Sequence, residues 1–129
     1  MCGFTGYLSD INNKTSYSDS IIKDMASTIV HRGPDSEKLY QSNNRRFQAG
    51  FKRLAIIDLK TGDQPIIEDG ERRVLLCNGE IYNYNELKRT PEAQNYSYQS
   101  NGDIEVILPL HAAHGNEFVN LLNGMFALA

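Results

Sequence analysis

Cys2 is the first residue whose type and position could do chemistry. It directly follows Met1, and a small residue in the second position permits removal of the initiator methionine. The mature chain would then begin with a residue that carries a thiol and a free α-amine. Reference pKa values of about 8.5 for a thiol and about 7.7–8.0 for an α-amine let such an amine accept a proton near neutrality. An N-terminal amine can thus activate its own nucleophile, although Cys2 could equally be a small apolar residue that begins a strand.

The dipeptide Asn78-Gly79 is the second candidate, because it follows the apolar run Val74 to Cys77, which is predicted as a buried strand. On this prediction Asn78 and Gly79 end the strand. A side-chain NH2 beside a glycine backbone N–H forms a natural oxyanion hole, and losing one such donor typically costs about 2.7–4 kcal/mol of transition-state stabilisation. Asn-Gly is also the commonest two-residue hairpin signal, so a plain turn is the alternative.

Three charged residues could bind charged groups of a substrate. Arg53 stands directly before Leu54 to Ile57, a predicted strand that is too apolar to be exposed on both faces. A guanidinium there suits bidentate capture of a carboxylate. Glu80 and Asp103 could each pair with an ammonium group. Each also has an ordinary alternative: a solvated charge at a strand end, a surface acid or, for Asp103, the N-cap of the helix that follows.

The overall composition fits one soluble globular domain. The chain has 129 residues, of which 40% are apolar and 22% charged, with a formal net charge of −3 and a pI near 5.5. This charge argues against nucleic-acid binding, which needs clustered Lys and Arg. No apolar run approaches the roughly 18–20 residues of a membrane span, and no basic region followed by an apolar stretch marks a secretory signal. The expected location is the cytoplasm.

Two cysteines and three histidines give little support to a redox or metal-binding protein. The cysteines are too few for a disulfide scaffold, and a cytosolic thiol is expected to be reduced. A disulfide between Cys2 and Cys77 is the alternative. His111 and His114 are the one closely spaced histidine pair, and the chain has no CxxC or HExxH pattern. We therefore predict no metal site.

The elements that must position these residues combine helices with strands. Apolar residues in 21–30 recur at the spacing of a helix with one buried face, and Ser16-x-x-Asp19 ahead of them resembles a capping box. Gly33-Pro34 must end that helix near His31. Further patterns predict strands at 1–8, 54–57, 74–77 and 124–129, a hairpin around 43–44, and helical segments at 83–92, 104–111 and 118–122. Pro109 lies inside one of these helical patterns and should kink or shorten it.

Seven sequence blocks occur in the order of a known family. They are MCGFTGYL at 1–8, HRGPDS at 31–36, RLAIIDL at 53–59, GDQP at 62–65, NGEIYNYNEL at 78–87, GDIEV at 102–106 and LNGMFALA at 122–129. The set resembles the class II glutamine amidotransferases, and HRGPD with NGEIYNY is most similar to the glutamine-hydrolysing asparagine synthetases. The resemblance covers nearly the whole chain, and seven ordered blocks are far more specific than any single one.

This resemblance implies an α+β fold, the four-layer αββα sandwich of the N-terminal nucleophile hydrolases. Residues 1–129 would form most of one type 2 glutamine amidotransferase domain. The fold is expected to be incomplete at its C-terminal end, with the last strands and a following synthetase domain absent. The HRGPD block is expected to be a structural corner, in which Gly33-Pro34 sets a turn that His31 and Arg32 hold.

The resemblance also assigns roles to the candidate residues: a nucleophile, an oxyanion pair and a substrate clamp. The residues that match the catalytic positions are Cys2, Asn78 and Gly79. The residues that match positions contacting glutamine, besides Asn78 and Gly79, are Arg53 for its carboxylate, Glu80 and Asp103 for its α-amino group, and Leu54, Ile56 and Ile57 for backbone contacts.

The implied reaction is hydrolysis of glutamine to glutamate and ammonia. In the full-length protein, the ammonia would pass to a synthetase domain that amidates an ATP-activated aspartate. ATP and Mg are expected only in that domain, and this chain is expected to need no cofactor. Its expected partners are glutamine and the synthetase domain, and a homodimer is allowed. Two alternatives stay open: a glutamine-binding or regulatory module without turnover, and an amidotransferase half with a different acceptor.

Overall fold

The computed structural model describes residues 2–10, 19–54 and 62–129. Within these ranges the strands are β1 (Gly3–Leu8), β2 (Ser36–Gln41), β3 (Phe47–Arg53), β4 (Ile66–Ile67), β5 (Val74–Leu75), β6 (Cys77–Ile81) and β7 (Gly124–Leu128). The α-helices are α1 (Asp19–Thr28), α2 (Tyr84–Leu87) and α3 (Ile107–His114), and shorter 3-10 segments cover Val30–Arg32, Asp69–Glu71, Ile104–Val106 and Gly115–Leu121. The predicted α+β class is therefore confirmed at the level of mixed helix and sheet.

Several sequence predictions lie outside the described residues. They concern the removal of Met1, the capping residue Ser16, and the substrate contacts Ile56 and Ile57. The predicted strand at 54–57 is described only at Leu54, which follows β3 and is not in a strand. These points stay predictions.

The first sheet carries Cys2 and Arg53 at neighbouring strand ends. It is antiparallel, in the order β1-β3-β2, and the predicted hairpin joins β2 to β3. Helix α1 lies on this sheet and buries Ile22 and Ala26 against it. A Cβ added at Gly50 of β3 would come within 2.8 Å of the Ala26 side chain, so the glycine lets the helix approach closely. The helix predicted at 21–30 is thus confirmed, and it packs against β1 and β3 of this sheet.

The corner at 31–36 ties the two strand ends together. Gly33 packs on the backbone of β3, where any side chain would clash with a main-chain carbonyl group. The Asp35 N–H donates to the Arg53 carbonyl at 3.1 Å. The Arg32 Nε donates to the Cys2 carbonyl at 3.4 Å. The expected structural role of this corner is confirmed for Gly33 and Arg32, because the corner holds both strand ends.

Strands β6 and β7 form an antiparallel pair, and this pairing corrects one prediction. Asn78 and Gly79 neither end a strand nor form a hairpin turn. They lie inside β6, opposite Ala127 and Phe126 of β7. The local turn preference of Asn-Gly is overridden because β7 pairs with all of β6. Gly79 permits the close approach, since a Cβ there would clash with the Met125 carbonyl oxygen.

The main core lies between β6 and the helical segments that follow it. Its buried residues come from β4 to β6, from α2, and from residues 93–118. Pro109 is the third residue of α3, just after a 3-10 segment gives way to the α-helix. A first-turn N–H needs no intrahelical acceptor, so proline is tolerated there, and the helix changes type ahead of Pro109 instead of breaking. No helix in the described ranges is long and apolar enough to cross a membrane.

Candidate active site

A cavity of about 220 Å³ lies between the strand ends of the first sheet and one edge of β6. Its lining includes the described residues that the sequence singled out, namely Cys2, Arg53, Leu54, Asn78, Gly79, Glu80 and Asp103. The volume is below the roughly 300–1,000 Å³ of pockets that take drug-sized ligands. The cavity therefore suits a ligand of amino-acid size.

Cys2 lies directly before β1, with its side chain half-buried in the cavity wall. The Leu54 N–H donates to Cys2 Sγ at 3.3 Å, and the thiol lies 3.5 Å from the Leu54 carbonyl oxygen. The Cys2 side chain also packs against a buried cluster formed by Ala49, Phe51 and Leu76. The sulfur is therefore held against the residue that follows Arg53, and its partial exposure does not fit a residue that merely fills the core.

One edge of β6 faces the cavity. The strand register determines which backbone N–H groups lie on that edge. Hydrogen-bonded pairs alternate along an antiparallel ladder. The reciprocal bonds of Leu76 with Ala129, at 2.9 and 3.0 Å, set the phase of this one. The even-numbered residues of β6 therefore bond to β7. The N–H groups of Cys77, Gly79 and Ile81 point the other way.

Two side chains accept hydrogen bonds from the backbone N–H groups on either side of Gly79. The Cys77 N–H donates to Gln64 Oε1 at 2.6 Å, and the Ile81 N–H donates to Asp103 Oδ2 at 2.7 Å. Among the described residues none accepts a hydrogen bond from the Gly79 N–H, which lies between these two. A lone donor on an otherwise satisfied strand edge, next to a cavity, can bind a negatively charged oxygen.

The Asn78 side chain is a second polar group at this point of the cavity. Its amide oxygen is buried and has no hydrogen-bond partner within the described ranges. Buried polar atoms nearly always have a hydrogen-bond partner, so an exception beside a cavity needs a functional explanation. The same amide carries two N–H donors. Asn78 and Gly79 together are therefore suited to binding an oxyanion.

Arg53 brings a buried positive charge to the cavity. It is the last residue of β3, and the strand predicted to follow it lies, from residue 55 onward, outside the described residues. The residue is 8% exposed, and its Nη1 pairs with Asp63 Oδ1 at 3.0 Å. The Asp63 side chain is 61% exposed, so water screens this ion pair and its contribution to stability is small. A buried guanidinium beside a cavity is suited to a ligand carboxylate.

Asp103 occupies the N-cap position that the sequence predicted, but its side chain does not cap the helix. The 3-10 segment Ile104–Val106 has no side-chain cap, because the Asp103 carboxylate binds the Ile81 N–H instead. Glu80 lies in β6 and is exposed where it lines the same cavity. Two carboxyl groups therefore lie at the cavity, where they could hold an ammonium group.

Gln64 and Ser100 also line the cavity, and no local sequence pattern predicted either of them as a site residue. Ser100 is held by Glu105, a fully buried acid that accepts hydrogen bonds from the Ser100 N–H at 2.8 Å and hydroxyl at 2.6 Å. Gln64 belongs to the GDQP block, and that ordered block was the available signal. A side chain that bonds a distant strand leaves no local periodicity by which to find it.

Cys77 lies in a different environment from Cys2. It is 2% exposed in the main core. Burial raises the pKa of its thiol to about 12, with smaller contributions from Asp103 and Cys2, so the thiol is unreactive near neutrality. Both cysteines are free. In the part of the chain that the structure describes, no group of three or more His, Cys, Asp or Glu could hold a metal ion. The redox and metal alternatives thus gain no support.

The sequence of the whole chain, residues 1–129, matches a family model described as a glutamine amidotransferase domain. The chain belongs to this family.

Similar proteins include several large enzymes of bacteria and plants. The amidotransferase domain is 40% identical over 132 residues to glutamine-hydrolyzing asparagine synthetase 1 of Bacillus subtilis, covering 98% of this chain and 20% of that protein. It is 37% identical over 130 residues to the second such synthetase of Bacillus subtilis, covering 100% and 17%. For the Zea mays synthetase the identity is 36% over 127 residues, covering 98% and 21%. The chain therefore spans about a fifth of the length of these relatives.

Proposed function

We propose that this domain hydrolyses glutamine to glutamate and ammonia, with Cys2 as the nucleophile. One observation carries the proposal: a half-buried thiol, a backbone N–H without a described partner and a buried guanidinium line one cavity of amino-acid size. These groups are what hydrolysis of an amino-acid side-chain amide requires, namely a nucleophile, an oxyanion donor and a carboxylate clamp.

In the proposed reaction Cys2 Sγ attacks the side-chain amide carbon of glutamine, and a carbon–sulfur bond forms. The negative charge that develops on the amide oxygen is bound by the Gly79 N–H and the Asn78 side-chain NH2. The α-amine of Cys2 takes the thiol proton and delivers it to the departing nitrogen. Ammonia leaves as the carbon–nitrogen bond breaks. Water then cleaves the glutamyl thioester, which releases glutamate and restores the thiol.

The other residues would hold the amino-acid end of glutamine. Arg53 binds the α-carboxylate through two parallel hydrogen bonds. Asp103 uses one oxygen on the Ile81 N–H, and its second oxygen, with Glu80, binds the α-ammonium group. The proposed backbone contacts are Leu54, Ile56 and Ile57, of which Leu54 lies in the described part of the chain.

The proposal extends to the whole fold and to a longer protein. Helix α1 contacts β1 and β3, β1 contacts β6, and β6 contacts the segment Ile104–Val106. This sequence of contacts supports a four-layer αββα sandwich of the N-terminal nucleophile hydrolase type, with residues 1–129 as most of one domain. A synthetase domain elsewhere in the protein would bind ATP and Mg and use the ammonia to amidate aspartate. We further propose a cytoplasmic location, where thiols stay reduced, and a homodimer.

Intact-protein mass spectrometry combined with an ammonia assay tests the proposal. We expect the mature chain to lack Met1, because a retained Met1 would block the α-amine of Cys2. Such protein should release ammonia and glutamate from glutamine in equal amounts. Protein with a free Cys2 that binds glutamine without releasing ammonia would instead be a binding or regulatory module.

Replacing Asn78 with alanine should lower kcat about 10²- to 10³-fold, the usual cost of losing one oxyanion donor, with little change in KM. Thermal stability should not fall in parallel, because the substitution also removes a buried amide oxygen that has no described partner. Steady-state kinetics and a melting curve measure both effects. A variant that loses stability but keeps its kcat would show that Asn78 serves the fold and not the reaction.

A further inference from the structure

The side chain of Gln64 takes the place of a neighbouring strand at the cavity edge of β6. Its Nε2 donates to the Cys77 carbonyl at 2.8 Å, and its Oε1 accepts from the Cys77 N–H at 2.6 Å. One amide group thus satisfies both backbone groups of one residue, as a paired strand would. Two bonds from one planar amide fix the backbone of Cys77 in position and in orientation.

Gln64 is buried and is hydrogen-bonded to β6, the strand that carries the candidate oxyanion donors. The residue is 5% exposed, and it lines the same cavity as Gly79. Along the edge of β6, the donors at Cys77 and Ile81 are anchored by side chains, and Gly79 lies midway between them. The direction of the Gly79 N–H is therefore set by these two anchors and by β7 behind it.

We propose that Gln64 is a positioning residue for hydrolysis, which aims the Gly79 N–H at the developing oxyanion. This inference rests on the proposed function. An oxyanion donor must lie about 2.7–3.1 Å from the charged oxygen, and a misplacement of about 1 Å can cost roughly 10²-fold in rate. Gln64 touches neither the reacting sulfur nor the amide carbon in this scheme, and it acts only through the backbone of β6.

A purely structural role is the competing explanation, because any buried backbone pair needs hydrogen bonds. The two roles predict different effects when the hydrogen bonds of Gln64 are removed. Loss of a structural bond lowers stability and leaves the kinetics of the folded fraction unchanged. Loss of the positioning bond lowers kcat in folded protein, while KM, which depends on Arg53 and Asp103, changes little.

The first experiment is the substitution Gln64→Met, which keeps the length of the side chain and removes both hydrogen bonds. We expect kcat for glutamine to fall about 10- to 100-fold, with KM within a few-fold of the parent. Gln48→Met is the matched control, since Gln48 is also a buried glutamine, at 3% exposure, but lies in β3 away from the cavity lining. Equal kcat values for the parent and Gln64→Met would overturn the proposal.

The second variant, Gln64→Glu, gives a test by pH. A protonated carboxyl can donate to the Cys77 carbonyl and accept from its N–H, as the amide does, whereas a carboxylate places a negative oxygen against that carbonyl. The ratio of the variant kcat to the parent kcat should therefore be near one at low pH and fall as pH rises. Taking the ratio cancels the titrations that both proteins share. A flat ratio near one across the pH range would contradict the proposal.

The NMR chemical shift of the Gly79 amide separates this inference from the proposed function. In Gln64→Met this resonance should move, because the direction of the Gly79 N–H changes when Cys77 loses the side chain that holds it, while the amide resonances of β1 and β3 stay in place. If the parent releases no ammonia, the proposed function fails, and a moved Gly79 resonance still supports the positioning of that amide by Gln64. If the parent is active but Gln64→Met changes neither kcat nor the Gly79 resonance, only the inference about Gln64 fails.

Discussion

Replacing Cys2 with alanine should abolish glutamine hydrolysis and leave glutamine binding nearly unchanged. The substitution removes the attacking atom but keeps Arg53, Asp103 and Glu80, the groups proposed to hold the substrate. Removal of a nucleophile typically lowers kcat by on the order of 10⁴-fold or more. An ammonia assay measures the rate, and calorimetry with glutamine measures the affinity.

Cys77→Ala is the matched control for this experiment, because it removes the only other thiol of the chain. That variant should retain hydrolysis, since a core thiol with a pKa of about 12 takes no part in the reaction. Iodoacetamide should likewise modify Cys2 and inactivate the parent, while Cys77 stays unmodified in the folded protein. Hydrolysis by Cys2→Ala at the parent rate would refute the mechanism.

Replacing Arg53 with alanine should weaken glutamine binding more than any other single change in the clamp. Truncating one partner of a buried, hydrogen-bonded charge pair typically costs about 2–5 kcal/mol, which is roughly a 30-fold to several-thousand-fold rise in Kd. The guanidinium is buried at the cavity, so solvent screens its attraction to the carboxylate only weakly, and the loss of affinity should be large. Titration calorimetry gives Kd, and kinetics should show the loss mainly in KM.

Two variants separate carboxylate binding from folding in this prediction. Arg53→Lys keeps the charge but loses the bidentate geometry, so its affinity should lie between those of the parent and Arg53→Ala. Asp63→Asn removes the exposed ion-pair partner of Arg53, and it should cost little stability. If Arg53→Ala binds glutamine as tightly as the parent, the α-carboxylate is held elsewhere.

The sequence predicted the elements whose side-chain pattern is local. Helix α1 was found because Ile22 and Ala26 lie on one apolar face, and Gly33-Pro34 ends that helix through its own backbone restrictions. Strand β7 was found from its apolar run at 124–129. In these segments the local preference and the tertiary packing agree, so the pattern alone was sufficient.

The errors lie where a distant segment overrides a local preference. Asn78-Gly79 has the composition of a turn, but β7 pairs with it from far along the chain. Asp103 has the type and place of an N-cap, but the Ile81 N–H competes for its carboxylate. Gln64 is bonded to Cys77, thirteen positions away. None of these partners can be read from neighbouring residues.

The site itself was predictable as a set of residues, but not as a geometry. Family blocks pointed to Cys2, Arg53, Asn78 and Asp103, and the structure brings these four to one cavity. The alternation of hydrogen bonds along β6 was not accessible, because it depends on the register with β7. That register is what distinguishes the Gly79 N–H from its neighbours.

The close contact of Gly79 with the Met125 carbonyl has an evolutionary consequence. Glycine at this position is demanded by the sheet alone, so its retention in a distant homologue would be no sign that the homologue still hydrolyses glutamine. Retention of Asn78 would instead indicate catalysis, because a buried amide oxygen with no described partner gives the fold no benefit. A lineage that abandoned catalysis would be free to replace Asn78 first and would keep Gly79 long afterwards.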